Sequence, residues 1–167
     1  MIEATETLYK NSRVILLSMR NTGIIALFFL ALDQFTKWAA IEYIGKNTIS
    51  LLGNFFRLEL HSNEGIAFSI AIPQYVIVLL TCFLIGGGIH LAKKELDLTK
   101  WQTQLLLGIT IGGALGNLID RIRLQSVIDF IAVAKFPVFN MADIGITVGI
   151  FGMVIFYNKL QNQSKPR

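Results

Sequence analysis

Two short stretches carry aspartates in settings that suit proton transfer. Val127-Ile-Asp-Phe-Ile131 embeds Asp129 among bulky apolar neighbours, where burial should raise its pKa. Asn140-Met-Ala-Asp143 stands at the head of an apolar run. Taken alone, Asn-x-x-Asp reads as a helix start, with Asn140 as N-cap and Asp143 in the favourable first turn. Taken with Asp129, it offers a second carboxylate to one semi-buried pocket. Two adjacent carboxylates can share one proton, because ionising both at close range is unfavourable. The charged member can then take a proton from water while the protonated one polarises a peptide carbonyl. That is aspartic-protease chemistry, and it needs neither a metal nor a nucleophilic side chain.

Other designs fare worse. A serine mechanism needs a base, yet His90 falls near the far end of a different apolar segment and His61 lies in an alternating, strand-like stretch. Cys82 sits inside an apolar run without an ionisable neighbour and reads as a buried filler. One Cys, two His and no HExxH pattern leave no metal-ligand set, so neither metal nor cofactor is expected. Asp33 and Lys37, four apart, share a helix face. They form either a structural ion pair or a support for an active site, and the two roles can coexist. Gly108, Gly112 and Gly116 lead at four-residue spacing to Asp120, while Gly113 and Asn117 lead to Arg121. Small residues at that spacing let helices approach closely in lipid, which would fix the polar cluster at the helix end.

Membrane helices must position these groups. The chain has 167 residues, 53% hydrophobic and only 16% charged, against about a quarter charged in a soluble domain. Apolar segments at about 21–41, 71–92, 101–119 and 141–159 approach the ~20 residues a transmembrane helix needs. The fold expected is an all-α membrane protein of four transmembrane helices. Residues 1–20 form a cytoplasmic N-terminal extension, partly helical along the membrane surface, 21–160 the membrane domain and 161–167 a cytoplasmic tail. Phe56-Arg-Leu-Glu-Leu-His61 alternates with the period of a half-buried strand, and Val127–Val133 is β-branched; a small outer sheet would accommodate both.

Charge sets the orientation. Nine of the 15 Lys and Arg fall in the N-terminal segment, the second-to-third loop and the C-terminus. The other two loops hold five, and Lys37 is inside a span. Both termini are therefore expected inside. That brings Asp33, Asp120, Asp129 and Asp143 to one depth on the outer side. The net charge of +4 clusters at segment ends, so topology explains it and a nucleic-acid partner is not expected.

At this point the residues resemble lipoprotein signal peptidase (signal peptidase II). Five blocks carry the likeness in the family's order: Asp33-Gln-Phe-Thr-Lys37, Asn63-Glu-Gly-Ile-Ala-Phe68, Gly112-Gly-Ala-Leu-Gly-Asn-Leu-Ile-Asp-Arg121, Val127-Ile-Asp-Phe130 and Phe139-Asn-Met-Ala-Asp143. The resemblance covers about Ile24 to Lys159. It implies an intramembrane aspartic endopeptidase of the bacterial cytoplasmic membrane. Such an enzyme cuts diacylglyceryl-modified prolipoproteins just before the lipidated cysteine, and membrane lipid is its surround. By motif, Asp129 and Asp143 match the catalytic dyad. Asp33, Lys37, Asn63, Gly65, Asn117, Asp120, Arg121, Asn140 and Ala142 match positions that shape or support the site. The resemblance also implies a small extracytoplasmic sheet and a mobile outer helix, and a monomer is expected. The stretch from Asp129 to Asn140 is shorter than in many members.

Two rival readings fit the sequence less well. A proton- or ion-coupled transporter could use membrane acids as a relay. The acids lie at one depth rather than along a path, and duplicated halves are not evident. A membrane scaffold with glycine faces leaves the apolar setting of Asp129 unexplained.

Overall fold

The computed structural model describes residues 2–65 and 73–161, with side chains described from residue 14 onward. The last residues of the Asn63–Phe68 block, the expected start of the second span at Ala71 and most of the 161–167 tail lie outside these. The chain runs α1 (Ile2–Tyr43), β1 (Ile49–Leu52), β2 (Phe56–Asn63), α2 (Gln74–Glu95), α3 (Trp101–Leu124), β3 (Val127–Val133), α4 (Met141–Ile155) and α5 (Tyr157–Leu160).

Three helices are long and apolar enough to cross a membrane: Val14–Tyr43 within α1, then α2 and α3. The fourth is shorter than expected. α4 has 15 residues, and its helix is interrupted at Phe156 before α5 adds a single turn. The result is a helical membrane protein of three long apolar helices and one shorter one. α1 is a continuous 42-residue helix, so no break separates the first twenty residues from the span.

α3 is the central element. Glycine brings its neighbours close, in the two directions the spacing predicts. A Cβ on Gly112 would lie 2.5 Å from the Ala26 carbonyl oxygen of α1, and one on Gly113 would lie 2.5 Å from the Ala142 carbonyl oxygen of α4. Gly116 abuts the Asp33 carboxylate, and Gly149 of α4 abuts Thr110. Backbones packed this closely gain dispersion and exclude lipid.

The bundle is polar inside and apolar outside. Phe83 and Phe28 are 74% and 71% exposed, whereas Asp33 and Asn140 are 0% and Lys37 3% exposed. Water would reverse that distribution; a hydrocarbon surround favours it.

The sheet is antiparallel, in the order β1-β2-β3. β3 occupies the seven residues the β-branched run predicts. β1 was not foreseen, and Gly53 turns the chain from it into β2 at φ +52°. Leu58, Leu60, Phe130 and Ile131 of the sheet cluster with Ala40 and Ile44, which seats the sheet on the end of α1. Leu58 pairs with Ile131 but His61 pairs with Asp129, so three residues of β2 span two of β3. That bulge changes the strand's phase. An unshifted strand would align Ser62 with Leu58; the shifted one puts Asn63 on the face of Asp129. The outer helix implied by the resemblance has no counterpart among the described residues, and 66–72, between β2 and α2, lie outside them.

Candidate active site

The site forms where α1, α3, α4 and the sheet meet. Asp129 projects from β3 and is 2% exposed. Asp143 is half-buried and occupies the third position of α4. There a reciprocal capping box joins it to Asn140: the Asp143 N–H donates to Asn140 Oδ1 at 2.9 Å, and the Asn140 N–H donates to Asp143 Oδ2 at 3.2 Å. The helix-start reading of Asn140-Met-Ala-Asp143 therefore holds, and so does its proximity to Asp129. Asn140 Nδ2 donates to Asp129 Oδ1 at 2.6 Å, so one side chain touches both aspartates.

Two further asparagines complete the shell. Asn63 Nδ2 donates to Asp129 Oδ2 at 3.1 Å, and its own Oδ1 accepts from the Gly65 N–H at 3.1 Å. Asn117 Nδ2 donates to Asp143 Oδ1 at 2.8 Å. Burial pushes the Asp129 carboxyl up to about 6; the Asn63 donor opposes this, and the negative charge of Asp143 adds to it.

Beneath the pair lies a charged layer. Lys37 Nζ sits 2.8 Å from both Asp33 Oδ2 and Asp120 Oδ2, all three buried. Its third donor goes to Asn117 Oδ1 at 2.9 Å. Removing one partner from such a buried group costs about 3–5 kcal/mol, because it strands the others' charge. Asp33 Oδ1 accepts from the Ala142 N–H at 2.8 Å, tying α1 to the first turn of α4. Ala142 is fully buried against Gly113, where a larger side chain has no room. Asp120 Oδ2 accepts from the Ile128 N–H at 3.3 Å and so anchors β3. The i,i+4 pair thus forms an ion pair, and the same two side chains also bond Asn117 and the first turn of α4.

Arg121, half-buried, lies within electrostatic reach of Asp143, Asp129 and Asp120. Its Nε has no hydrogen-bond partner among the described residues, which leaves a donor available at the site. The eleven site residues named from the sequence (Asp33, Lys37, Asn63, Gly65, Asn117, Asp120, Arg121, Asp129, Asn140, Ala142 and Asp143) fall in this one cluster. Gln34 was missed: its Nε2 donates to Asp120 Oδ1 at 3.0 Å and reaches Asp33 and the Gly116 carbonyl at 3.3 Å. Its place inside the Asp33–Lys37 block was the available signal.

A cleft of about 390 Å³ runs from Asn117 and Arg121 down between α2, α3 and α4, lined by Ile85, Gly88, Ala114 and Ile146. A second, about 480 Å³, shares Gly88, Ile150 and Met153 with it and continues to Tyr157. Together they make an apolar trough whose polar end is Arg121 and Asn117, the donor to Asp143 Oδ1.

Comparison with known proteins gives a consistent outcome. A family model described as Signal peptidase (SPase) II matches residues 25–159. The lipoprotein signal peptidase of Shouchella clausii (strain KSM-K16) is 34% identical over 148 residues, covering 86% of this chain and 96% of that protein. The lipoprotein signal peptidase of Bacillus subtilis (strain 168) is 34% identical over 151 residues, covering 86% and 95%. Two solved structures, described as bacterial membrane enzymes determined by the in meso method at 2.3 and 1.9 Å resolution, superpose with TM-scores of 0.72 and 0.70. Both are 27% identical; they cover 83% and 80% of this chain and 87% and 90% of their own.

Proposed function

The chain belongs to the signal peptidase II family of aspartic peptidases, and from that premise we propose that Asp129 and Asp143 form its catalytic dyad. The substrate is a bacterial prolipoprotein, cut just before a cysteine that carries diacylglycerol. The observation that carries this reading is Asn140, which bonds both aspartates at once and holds them to one reaction centre.

One ionised carboxylate takes a proton from water as the water oxygen bonds to the scissile carbonyl carbon. The protonated partner gives its proton to the carbonyl oxygen, producing a neutral diol. The first carboxyl then protonates the departing nitrogen, the C–N bond breaks, and a diol proton returns to the second. No covalent enzyme intermediate forms. The signal peptide, itself an apolar helix, lies in the trough between α2 and α4, and its arrival excludes water and strengthens polarisation of the carbonyl.

The protein crosses the membrane four times, with α4 and α5 together as the fourth passage and both termini in the cytoplasm. Residues 21–160 are the peptidase domain, 1–20 a cytoplasmic extension and 161–167 a tail; the enzyme acts as a monomer. The sheet and the dyad face outward, where the lipidated cysteine of the substrate resides.

Mass analysis of a diacylglyceryl-modified model prolipoprotein incubated with purified enzyme tests the reading. Release of the signal peptide is expected, with Asp129→Asn and Asp143→Asn each slowing it by at least about 10²-fold, the low end for general acid–base catalysis. Near-normal turnover by either variant would sink the dyad.

A further inference from the structure

An asparagine side chain presents an acceptor at one end and a donor at the other, and whatever holds its oxygen decides where its nitrogen points. Three asparagines border the carboxylate pair, and each oxygen is held by a group that can only donate. Asn117 Oδ1 accepts from the Lys37 ammonium at 2.9 Å, Asn140 Oδ1 from the Asp143 N–H at 2.9 Å, and Asn63 Oδ1 from the Gly65 N–H at 3.1 Å. None of the three amides can flip without facing donor against donor. Their nitrogens are therefore aimed at Asp143 Oδ1, Asp129 Oδ1 and Asp129 Oδ2 respectively, and the fourth carboxylate oxygen, Asp143 Oδ2, takes the Asn140 N–H.

The two aspartates share this fixed ring of donors but not their surroundings. Asp143 is half-buried and sits in the first turn of α4, where a helix N-terminus favours negative charge. Asp129 is on a strand, outside any helix, and 2% exposed. Lys37 is engaged by two other carboxylates and orients Asn117 toward Asp143; its charge also reaches Asp129, where it opposes the effect of burial without overcoming it.

We infer that the resting pair is held in a single protonation state, with the charge on Asp143 and the proton on Asp129. The inference rests on reading these two residues as the dyad. The upward displacement of Asp129 by burial, reinforced by the charge on Asp143, agrees with it. The other ionisable groups facing the pair are Asp33 and Lys37 from α1, Asp120 and Arg121 from α3, and His61, opposite Asp129 on β2. In this state Asp143 is the base. It takes the proton from water as the oxygen bonds to the carbonyl carbon, Asp129 gives its proton to the carbonyl oxygen, and the protons return by the collapse described above.

The test is the pH profile of kcat/KM on the same modified substrate. Its acidic limb reports loss of the Asp143 charge and its basic limb loss of the Asp129 proton. Asn117→Ser removes a donor from Asp143 and should move the acidic limb up by about 0.5–1 pH unit, leaving the basic limb in place. Asn63→Ser removes a donor from Asp129, and should move the basic limb up by a similar amount and leave the acidic limb. Limb positions do not depend on how much of a preparation is folded, and Asn117→Ala and Asn63→Ala repeat the comparison. The opposite pairing of variant and limb would place the proton on Asp143 and overturn the inference. Equal movement of both limbs in both variants, or movement of neither, would overturn the single state. Normal turnover by Asp129→Asn or Asp143→Asn would instead defeat the dyad itself, a separate result.

Discussion

Burial keeps the Asp129 carboxyl protonated up to about pH 6, so its titration is coupled to folding as well as to proton transfer. In an unfolded chain the same group titrates near ~3.9. Its folded value is raised, so between about pH 4 and 6 the folded protein binds the proton more tightly than the unfolded one. The resulting stability is fully present below ~4 and is lost as pH rises through about 6. Two units of displacement correspond to about 2–3 kcal/mol. The stability gap between the unsubstituted enzyme and Asp129→Asn should therefore fall by about that amount from pH 4 to pH 7, as read by unfolding in detergent. A gap that stays constant across this window would show that the carboxyl is not desolvated as described.

At the scale of elements, glycine has opposite value in α3 and in α2. Gly113 lets α3 meet the first turn of α4, whereas a Cβ at Gly87 would meet nothing within 4 Å. Gly113→Ala should push Ala142, and with it Asp143, away from Asp129. A loss of about 1–3 kcal/mol is expected, the range for overpacking, together with most of the activity. Gly87→Ala should stabilise α2 by up to about 1 kcal/mol, through helix propensity alone, with cleavage retained. Equal damage from both would mean that the close approach of α3 and α4 has no special role; thermal unfolding and the cleavage assay decide. Much of this was legible beforehand. Spacing of four marked the glycine stripe of α3 and the parallel stripe of Gly113, Asn117 and Arg121, and β-branching marked Val127–Val133. The bulge in β2 was not legible, because Phe56 to Leu60 alternates without a flaw and the extra residue is defined only by pairing with β3. β1 escaped notice because four exposed residues carry no burial pattern. Asn63 was reachable only through family resemblance: nothing local reveals that its amide meets a carboxylate 66 residues away.

For the whole molecule, the arrangement of helices bears on which end faces out. α1 and α3 run parallel, with Asn21 beside Gln104 at one end and Asp33 beside Gly116 towards the other. α4 returns antiparallel, from Asn140 beside Asn117 to Gly152 beside Leu106. Asp129 and Asp143, their asparagines and the sheet therefore gather at one end. At the opposite end the basic loop between α2 and α3 meets the end of α5, where Lys100 Nζ donates to the Lys159 carbonyl at 2.6 Å and the Asp97 N–H to that of Leu160 at 2.7 Å. Lys93 and Lys94 flank the same end, so Lys93, Lys94, Lys100 and Lys159, four of the basic residues that the loop count assigned to the cytoplasm, lie together there. α1, 42 residues long, is about 63 Å of helix, roughly twice the ~30 Å hydrocarbon core, so it continues well beyond the bundle at that basic end. Cys82 is the only cysteine, and a Cys82→Ser background makes single-cysteine labelling unambiguous. Lys46→Cys, exposed between α1 and β1, should react with a membrane-impermeant maleimide in intact cells whose outer barriers admit it. Lys93→Cys, exposed at the other end, should react only after permeabilisation. The reverse pattern would put the carboxylates on the cytoplasmic side, out of reach of a cysteine lipidated at the outer leaflet, and the proposed substrate could not be met in that orientation.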